Sequence, residues 1–285
     1  MKDKDPLTLN MLMERMKNYY YQIEEAIKVE LNRFKSSNFY DPLLYASEGG
    51  KRIRPMILLL SAESIGRIKD DPLPVAVAVE LLHIESIIHD DILDNEIFRR
   101  DRPAFHIKYG LGTSLLTADF VFGIILDIAS RYGDRRIAKE LSSVALRMCE
   151  GELGELNIDS KIHRLSWDEY LKLISQKTAS LFEVSAKIGG IVGGGNDKEI
   201  EILSEYGRFL GMAYQIRDDI QDWSKEDKIV NILNIEQNDK LSYLRSMSEL
   251  YAIDAKKRLK SLKDTPAKKY LIDLADFMIS NQFQG

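Results

Sequence analysis

The sequence predicts an all-α protein, on three observations. Residues 12–34, "LMERMKNYYYQIEEAIKVELNRF", space their apolar side chains three and four apart, which is the period of an amphipathic helix. No run of alternating apolar and polar residues predicts a strand, and no βαβ rhythm is present. Several prolines stand where helices should begin, namely Pro42, Pro55, Pro72 and Pro74. We expect about ten helices in a single domain over residues 1–285.

Two further segments carry the helical period in the second half of the chain. Residues 168–194 are preceded by Ser166, a plausible N-cap. Residues 199–223 form another long amphipathic segment. The glycine-rich "GGIVGGG" closes the first of these segments. It follows a helix and lacks the spacing of a phosphate-binding loop, so it predicts a helix end and a turn.

The composition limits the class of protein. With 285 residues, 45% of them hydrophobic, the chain can bury a large core, and its net charge of -5 argues against nucleic acid as the main partner. The single cysteine, Cys149, excludes an intramolecular disulfide and is expected to be a small buried side chain rather than a nucleophile. The first ten residues do not resemble a signal peptide, and the apolar runs are too short for a transmembrane segment. We therefore expect a cytoplasmic protein.

Two acidic motifs share the pattern D-D-x-x-D. "HDDILDN" begins it at Asp90 and "RDDIQDW" at Asp218, which is 218 − 90 = 128 residues later. Residues four apart lie about 40° apart around a helix, so Asp90 and Asp94 share a face, whereas Asp91 and Asp219 lie to one side. Two solvated acidic faces are the alternative. Both motifs, however, are embedded in apolar sequence, which favours magnesium ions held by carboxylates and by the oxygens of a diphosphate.

Cationic residues accompany the first motif. Arg99 and Arg100 follow it in "FRRDRP", and Lys51, Arg52 and Arg54 stand in "EGGKRIRP". Arginine matches phosphate oxygens with two hydrogen bonds, and lysine adds a mobile charge. A helix start with surface charges is the alternative, but beside a magnesium site the pattern suggests a second anion pocket without metal.

The histidines divide into two groups. His83 lies two turns before Asp90 on nearly the same face, so it is a candidate donor to the diphosphate that binds without metal, although a structural role is the alternative. His89 is expected to be a neighbour or a packing group. His106 and His163 belong to no visible constellation, and no Cys/His spacing fits zinc.

Together these motifs resemble the trans-isoprenyl diphosphate synthases, or polyprenyl synthetases. The resemblance covers residues 45–223 and rests on "GGKRIRP", "ELLHIESIIHDDILD", "RRDRP", "QKTASLF" and "YQIRDDIQD", in the order of the family. It implies an isoprenoid synthase-type helical bundle around a central cavity, usually a homodimer. It also implies a magnesium-dependent 1'-4 condensation of isopentenyl diphosphate with an allylic diphosphate, the work of a prenyltransferase.

The resemblance also implies a role for each matching residue. The metal ligands would be Asp90, Asp91, Asp94, Asp218, Asp219 and Asp222. Isopentenyl diphosphate would be bound by Lys51, Arg54, His83 and Arg100. The allylic diphosphate would be contacted by Arg99, Lys177, Thr178, Gln215 and Lys228. Lys177 and the motif residues Asp90, Asp94 and Asp218 would be catalytic.

The sequence departs from the family pattern at several places. Asp101 replaces the glycine of R-R-G-x-P, and Ala118 replaces a glycine before Asp119. The loop after Asp222 is short, so Lys228, or else Lys225, would have to serve there. These departures concern how the site closes and leave the expected reaction unchanged.

The residues before the first motif bear on product length. Ser86 shares a face with Asp90 and is too small to block a growing chain, Leu82 is moderately bulky, and Glu85 is a charge that needs a partner or must turn away. We expect geranylgeranyl rather than farnesyl diphosphate, with a longer product also possible. The alternatives are a class I terpene cyclase, which would leave "GGKRIRP" unexplained, a non-catalytic regulatory subunit of a prenyl synthase, and a purely structural helical protein.

Overall fold

The computed structural model describes residues 6–158, 164–221, 229–234 and 240–280, with side chains from residue 14 onward and excepting that of residue 229. Helices account for nearly all of its regular structure. The α-helices are α1 (Pro6–Asn32), α2 (Tyr40–Ser47), α3 (Ile53–Ile65), α4 (Pro72–Leu93), α5 (Phe105–Tyr109), α6 (Leu111–Ser130), α7 (Arg135–Leu156), α8 (Trp167–Ile174), α9 (Ser180–Val192), α10 (Asp197–Gln221), α11 (Lys240–Arg258) and α12 (Pro266–Met278). The all-α prediction is therefore confirmed.

Three kinds of element interrupt the α-helices. A π-helical stretch, here called the π-segment, spans Ser175–Ala179 between α8 and α9. Short 3₁₀ turns occupy Ile229–Ile232 and Leu259–Ser261. Strands β1 (Phe98–Arg99) and β2 (Arg102–Pro103) pair antiparallel and form a small hairpin. The sequence did not predict this hairpin, which is the one strand pair in the described ranges.

The helix starts follow the local signals in the sequence. Ser166 caps α8 in a full capping box, in which its hydroxyl accepts from the Glu169 amide and the Glu169 carboxylate accepts from the Ser166 amide. Pro72 begins α4 after an Asp71 cap. The predicted N-cap and the predicted proline-marked starts are confirmed.

The chain divides into two compact units, Met1–Leu59 with Asp70–Leu141 and Leu60–Lys69 with Ser142–Gly285. In the first unit α4 is the central helix, and α1, α2, α5 and α6 pack against it. Most of its first half is buried, including Val75, Val79 and Leu82. This burial fixes where the polar end of α4 lies in the unit. The single-domain organisation stays a prediction.

In the second unit α10 is the central helix, in contact with α8, α9, α11 and the π-segment. Its glycines allow unusually close packing. A Cβ atom on Gly207 would lie 2.4 Å from the Phe182 carbonyl oxygen, and one on Gly211 would lie 2.6 Å from the Ala179 Cα. The "GGIVGGG" stretch ends α9 and turns at Gly194, which has φ +74°, as the sequence predicts.

Two findings bear on exposure. Cys149 is exposed, so the expectation of a buried thiol is wrong. α4 and α6 are long and apolar enough to cross a membrane by length and composition alone, and the buried share of their apolar windows is 56% and 39%. A core helix of a soluble protein passes the same test, so this is weak evidence for a membrane span.

Candidate active site

The first acidic motif lies at the carboxyl end of α4, in the first unit. Asp94 is the residue after the last turn, and its amide donates to the Asp90 carbonyl oxygen at 2.8 Å. Asp90 is half-buried, Asp94 is exposed, and Asp91 is buried at 2% exposure. Asp90 and Asp94 are thus one turn apart at the open end of the helix, whereas Asp91 points into the protein.

The buried Asp91 is held by an arginine of the hairpin. Arg99 Nε donates to Asp91 Oδ1 at 2.8 Å, and Nη2 donates to the same oxygen. Burial raises the pKa of the Asp91 carboxyl, and the Arg99 guanidinium opposes that shift. Arg99 is therefore fixed beside the motif by a charge-assisted pair.

The hairpin that carries Arg99 turns through Arg100 and Asp101. Their φ angles are +53° and +58°, and Arg99 pairs with Arg102 across the turn. Positive φ at both central residues defines a type I′ turn. This explains the departure at Asp101, because aspartate is one of the few residues with a side chain that enters the left-handed region.

Residues predicted to bind the metal-free diphosphate also lie in the first unit. Arg54 Nη1 is 3.0 Å from His83 Nε2. Arg100 Nη1 donates to the Glu48 carbonyl oxygen at 3.2 Å, and a Cβ atom on Gly50 would lie 3.0 Å from Arg100 Nη2. Gly50 therefore leaves space for the Arg100 guanidinium, and it also adopts the positive φ of +99° that the turn requires.

His83 lies among several cationic groups. Its pKa is held well below the usual range by burial first, and then by Arg54, Arg100, Arg52 and Arg99 in that order. A neutral imidazole surrounded by guanidinium groups is a site where an anion would be stabilised. Lys51 is exposed on the loop between α2 and α3.

The residues predicted to control product length lie on α4, one to two turns before the first acidic motif. Ser86 is half-buried, and its hydroxyl donates to the His83 carbonyl oxygen at 2.9 Å. Leu82 is buried. The Glu85 carboxylate is 3.1 Å from His89 Nδ1, and this contact is the main cause of the raised pKa of His89. Glu85 thus has the partner that its charge requires.

The second acidic motif ends α10, in the second unit. Asp219 accepts from Gln215 Nε2 at 2.8 Å and from the Tyr170 hydroxyl. Burial raises the pKa of the Asp219 carboxyl to about 7, against the lowering effect of those two hydrogen bonds. Asp218 is half-buried. Asp222, and the loop lysines Lys225 and Lys228, lie outside the described residues.

Gln215 links the second motif to the π-segment. The Thr178 hydroxyl donates to Gln215 Oε1 at 2.8 Å, so Thr178, Gln215 and Asp219 form one hydrogen-bonded chain. A π-bulge frequently marks a functional position in a helix. Here it carries both Lys177 and Thr178 of the family-like "QKTASLF".

Lys177 is held by carboxylates of α7. Its Nζ lies 2.6 Å from Glu155 Oε2 and 2.7 Å from Glu152 Oε2. The two helical elements approach closely because residue 151 is glycine, where a Cβ atom would lie 2.7 Å from the Lys177 amide nitrogen. The lysine is thereby oriented by two carboxylates within the second unit.

The chain after the second motif packs back onto the same unit. The Leu165 amide donates to the Ile232 carbonyl oxygen at 3.1 Å, and the Asn234 amide donates to that of Leu165 at 2.7 Å. Val230 and Leu233 are buried in a cluster with Tyr170. Residues 230–234 thus lie beside the residue that precedes the α8 cap.

The donor chemistry of both motifs suits magnesium. Among the described residues no group of three His, Cys, Asp or Glu side chains forms a ready metal cluster. Mg²⁺ in nucleotide and phosphate sites is typically held by one or two carboxylates, with water and substrate phosphates as the other ligands. Within the first motif the half-buried Asp90 and the exposed Asp94 suit such coordination, and within the second motif the half-buried Asp218 does so.

Several residues of the candidate site are not evident from the sequence. Glu152 and Glu155 fall on an ordinary amphipathic helix, and Tyr170 has no motif. Their roles depend on which helices pack together. The E-x-x-E spacing in "EGELGEL" places Glu152 and Glu155 on one face of the helix. This spacing is the one feature of the sequence that indicates a shared role for the two glutamates.

Comparison with known proteins agrees with these motifs. Residues 36–268 match the family model of the polyprenyl synthetases. A geranylgeranyl diphosphate synthase of Methanosarcina mazei is 29% identical over 97% of this chain and 100% of its own length. A geranylfarnesyl diphosphate synthase of the same organism is 31% identical over 96% of each chain.

Solved structures share the fold. A geranylgeranyl pyrophosphate synthetase of Pyrococcus horikoshii Ot3 superposes with a TM-score of 0.84 at 27% identity, covering 96% of this chain and 99% of that one. The predicted helical fold and the predicted prenyltransferase class are confirmed by these relatives. The chain belongs to the polyprenyl synthetase family.

Proposed function

We propose that this enzyme lengthens an allylic diphosphate by head-to-tail (1'-4) condensation with isopentenyl diphosphate. The observation that carries the proposal is the arrangement on α4. One end of this helix holds the carboxylates of Asp90 and Asp94, and two turns earlier His83 lies against Arg54 at 3.0 Å. One helix thus carries both a pair of carboxylates suited to magnesium and, two turns earlier, a histidine beside an arginine.

Isopentenyl diphosphate would bind in the cationic pocket. Arg54, Arg100 and Lys51 supply charge, and His83 supplies a neutral hydrogen-bond donor. A diphosphate would accept charge-assisted hydrogen bonds from these cations. This group must not leave during the reaction, which is why cations alone suffice to hold it.

The allylic diphosphate would bind near the acidic motifs. Lys177 and Thr178 of the π-segment, Gln215, Arg99 and Lys228 are the proposed contacts. The Lys177 ammonium is held in place by Glu152 and Glu155. An ammonium fixed in advance stabilises the negative charge that develops on the departing diphosphate, without reorganisation during the reaction.

Magnesium is the proposed cofactor. Asp90, Asp94 and Asp218 would be its direct protein ligands, together with Asp222. The contacts of Asp91 with Arg99 and of Asp219 with Tyr170 and Gln215 suggest that these two carboxylates orient the metal-binding side chains. Bound magnesium would stabilise charge on the leaving diphosphate.

The bond changes balance with no further reagent. The C1–O bond of the allylic substrate breaks, and diphosphate leaves with the electron pair. The double bond of isopentenyl diphosphate, aligned by its bound diphosphate, attacks C1. A proton is then lost from the adduct, and the released diphosphate is the proposed acceptor. Exclusion of water protects the cationic intermediate from hydrolysis.

The proposed product length depends on the size of the α4 side chains that precede Asp90. Ser86 leaves space one turn before Asp90, and Glu85 is occupied by His89. Leu82, one turn further back, is buried. We propose geranylgeranyl diphosphate as the main product, which agrees with the name of one relative, whereas the other makes the longer geranylfarnesyl diphosphate according to its name.

A homodimer in the cytoplasm is the proposed assembly. α6 exposes large apolar side chains over its whole length, and large exposed apolar patches on soluble proteins mark interfaces. These side chains are Leu111, Leu115, Leu116, Phe122 and Leu126. A second copy of this chain is the proposed partner for this surface, and light scattering of the purified protein measures the assembly.

One incubation tests the proposed function. Purified protein receives Mg²⁺, isopentenyl diphosphate and one of three allylic primers, and the products are sized by chromatography. We expect turnover that requires both substrates and a product of twenty carbons. Turnover of an allylic diphosphate without isopentenyl diphosphate would identify a terpene cyclase. No turnover in any combination would favour the regulatory subunit.

A further inference from the structure

Arg52 differs from its cationic neighbours in the "GGKRIRP" stretch. Lys51 is exposed and Arg54 is half-buried, whereas Arg52 is 2% exposed. It also adopts φ +53°, a left-handed conformation that arginine rarely enters. A buried side chain of this kind cannot reach a substrate, so its role differs from that of Lys51 and Arg54.

The guanidinium of Arg52 joins three elements. Its Nη1 donates to Glu80 of α4 at 2.7 Å, and its Nε donates to Glu24 of α1 at 2.7 Å. Its Nη2 donates to the Ser47 carbonyl oxygen at the end of α2. The planar guanidinium can satisfy all three acceptors at once because its donors form a rigid fork.

These contacts fix the cationic pocket before any ligand binds. Glu80 is one turn before His83 on α4, so the Arg52–Glu80 pair sets the distance between the loop and that histidine. The loop also carries Lys51, and Arg54 follows it directly. Without this tie the loop would be less ordered before binding, and the ligand would have to supply the ordering free energy.

We propose that Arg52 is a positioning residue that preorganises the pocket for the metal-free diphosphate group of isopentenyl diphosphate. This inference rests on the proposed function, since it assumes that the pocket binds that substrate. The simpler reading is that Arg52 only stabilises the fold. The two readings differ in what they predict for affinity in a protein that remains folded.

The test uses variants that keep the fold. Arg52→Lys retains the charge but cannot reach all three acceptors, and Glu80→Gln retains the shape but weakens the central pair. Arg131→Met is the matched control, because Arg131 also bridges two carboxylates of the first unit, Glu30 and Asp127, outside the pocket. Arg54→Ala removes a proposed contact. Circular dichroism and thermal unfolding verify that each variant is folded at the assay temperature.

The first measurement is calorimetric binding of inorganic diphosphate in EDTA, which needs no turnover. We expect Arg52→Lys and Glu80→Gln to weaken binding about tenfold, Arg54→Ala to weaken it at least as much, and Arg131→Met to leave it unchanged. Unchanged affinity in both Arg52→Lys and Glu80→Gln, with loss in Arg54→Ala, would overturn the positioning role and keep the pocket. Unchanged affinity in Arg54→Ala would instead overturn the proposed pocket.

The second measurement is steady-state kinetics with both substrates. A positioning role predicts that Arg52→Lys raises KM for isopentenyl diphosphate about tenfold, while KM for the allylic substrate stays within twofold. A role in stability alone predicts a lower unfolding temperature with both KM values unchanged. Equal increases in both KM values would also contradict the inference.

Discussion

Arg54 Nη1 lies 3.0 Å from His83 Nε2. A guanidinium has donors only, so His83 must accept at Nε2 and carry its proton on Nδ1. The lowered pKa of His83, caused by burial and then by Arg54, agrees with this neutral tautomer. His83 is thus prepared to donate one hydrogen bond from Nδ1.

This relationship predicts how stability depends on pH. The unfolded chain protonates His83 below pH of about 6.5, but the folded protein, with its lowered pKa, does not. Folding stability from this residue is therefore lost as the pH falls below about 6.5. Because glutamine does not titrate, the stability of wild type relative to His83→Gln should fall between pH 7.5 and 5.5 in urea denaturation.

His89 provides a control of opposite sign. Its pKa is raised, mainly by the hydrogen bond to Glu85, so its contribution is present at low pH and is lost as the pH rises through the raised value. The free energy of unfolding of wild type relative to His89→Gln should therefore rise as the pH is lowered from 7.5 to 5.5. Identical slopes for the two variants would contradict the assigned protonation states.

The close contact at Gly151 predicts an unusual cost for alanine. A Cβ atom there would lie 2.7 Å from the backbone nitrogen of Lys177, which cannot move without shifting the π-segment. We expect Gly151→Ala to destabilise the protein by about 1–3 kcal/mol and to lower kcat. Thermal unfolding and kinetics measure both effects.

Gly154, one turn along the same helix, is the matched control. A Cβ atom there would make an ordinary contact of 3.6 Å with Leu173. Gly154→Ala should stabilise the protein by up to about 1 kcal/mol, from helix propensity, with kcat unchanged. Equal effects of the two substitutions would show that the approach at residue 151 is unimportant.

Lys177 should act on the chemical step. Removing one preorganised charge from a leaving group typically costs about 10²–10³ in kcat. We expect Lys177→Met to lose activity in that range with KM for isopentenyl diphosphate unchanged. Lys172→Met, an exposed lysine in the last turn of α8, serves as control and should be fully active. A large rise in KM for isopentenyl diphosphate would assign Lys177 to the other substrate.

Ser86 should limit product length when enlarged. An aromatic side chain one turn before Asp90 would occupy the space left for the growing chain. Ser86→Phe should therefore shift the product from geranylgeranyl toward farnesyl diphosphate, whereas Ser86→Ala should leave it unchanged. If chromatography of the Ser86→Phe products shows no shortening, the chain does not pass this face of α4.

The sequence predicts the helices and the motif residues well because both depend on local patterns. The period of apolar residues marks α4 and α10, and helix geometry places Asp90 and Asp94 on the same face of α4. The π-segment is different, since it is shaped by close packing at Gly151 and Gly211. Tertiary packing of this kind leaves no periodic signal.

Burial within a charged motif is the second limit of sequence reasoning. Lys51, Arg52 and Arg54 are adjacent and chemically alike, but only Arg52 is enclosed by Glu24 and Glu80. Those partners are 28 residues away on either side, so no local pattern distinguishes the positioning arginine from its neighbours. The hairpin escaped prediction because its strands have two residues each.

The central claim is that the two acidic motifs bind divalent cations together around one diphosphate. Crystals grown with a non-hydrolysable allylic thiodiphosphate and Mn²⁺ in place of Mg²⁺ test it directly through the anomalous signal of manganese. The account predicts manganese positions within about 2.0–2.4 Å of carboxylate oxygens of Asp90, Asp94 and Asp218, bridged by the diphosphate. Manganese bound to only one motif, or away from both, would contradict it.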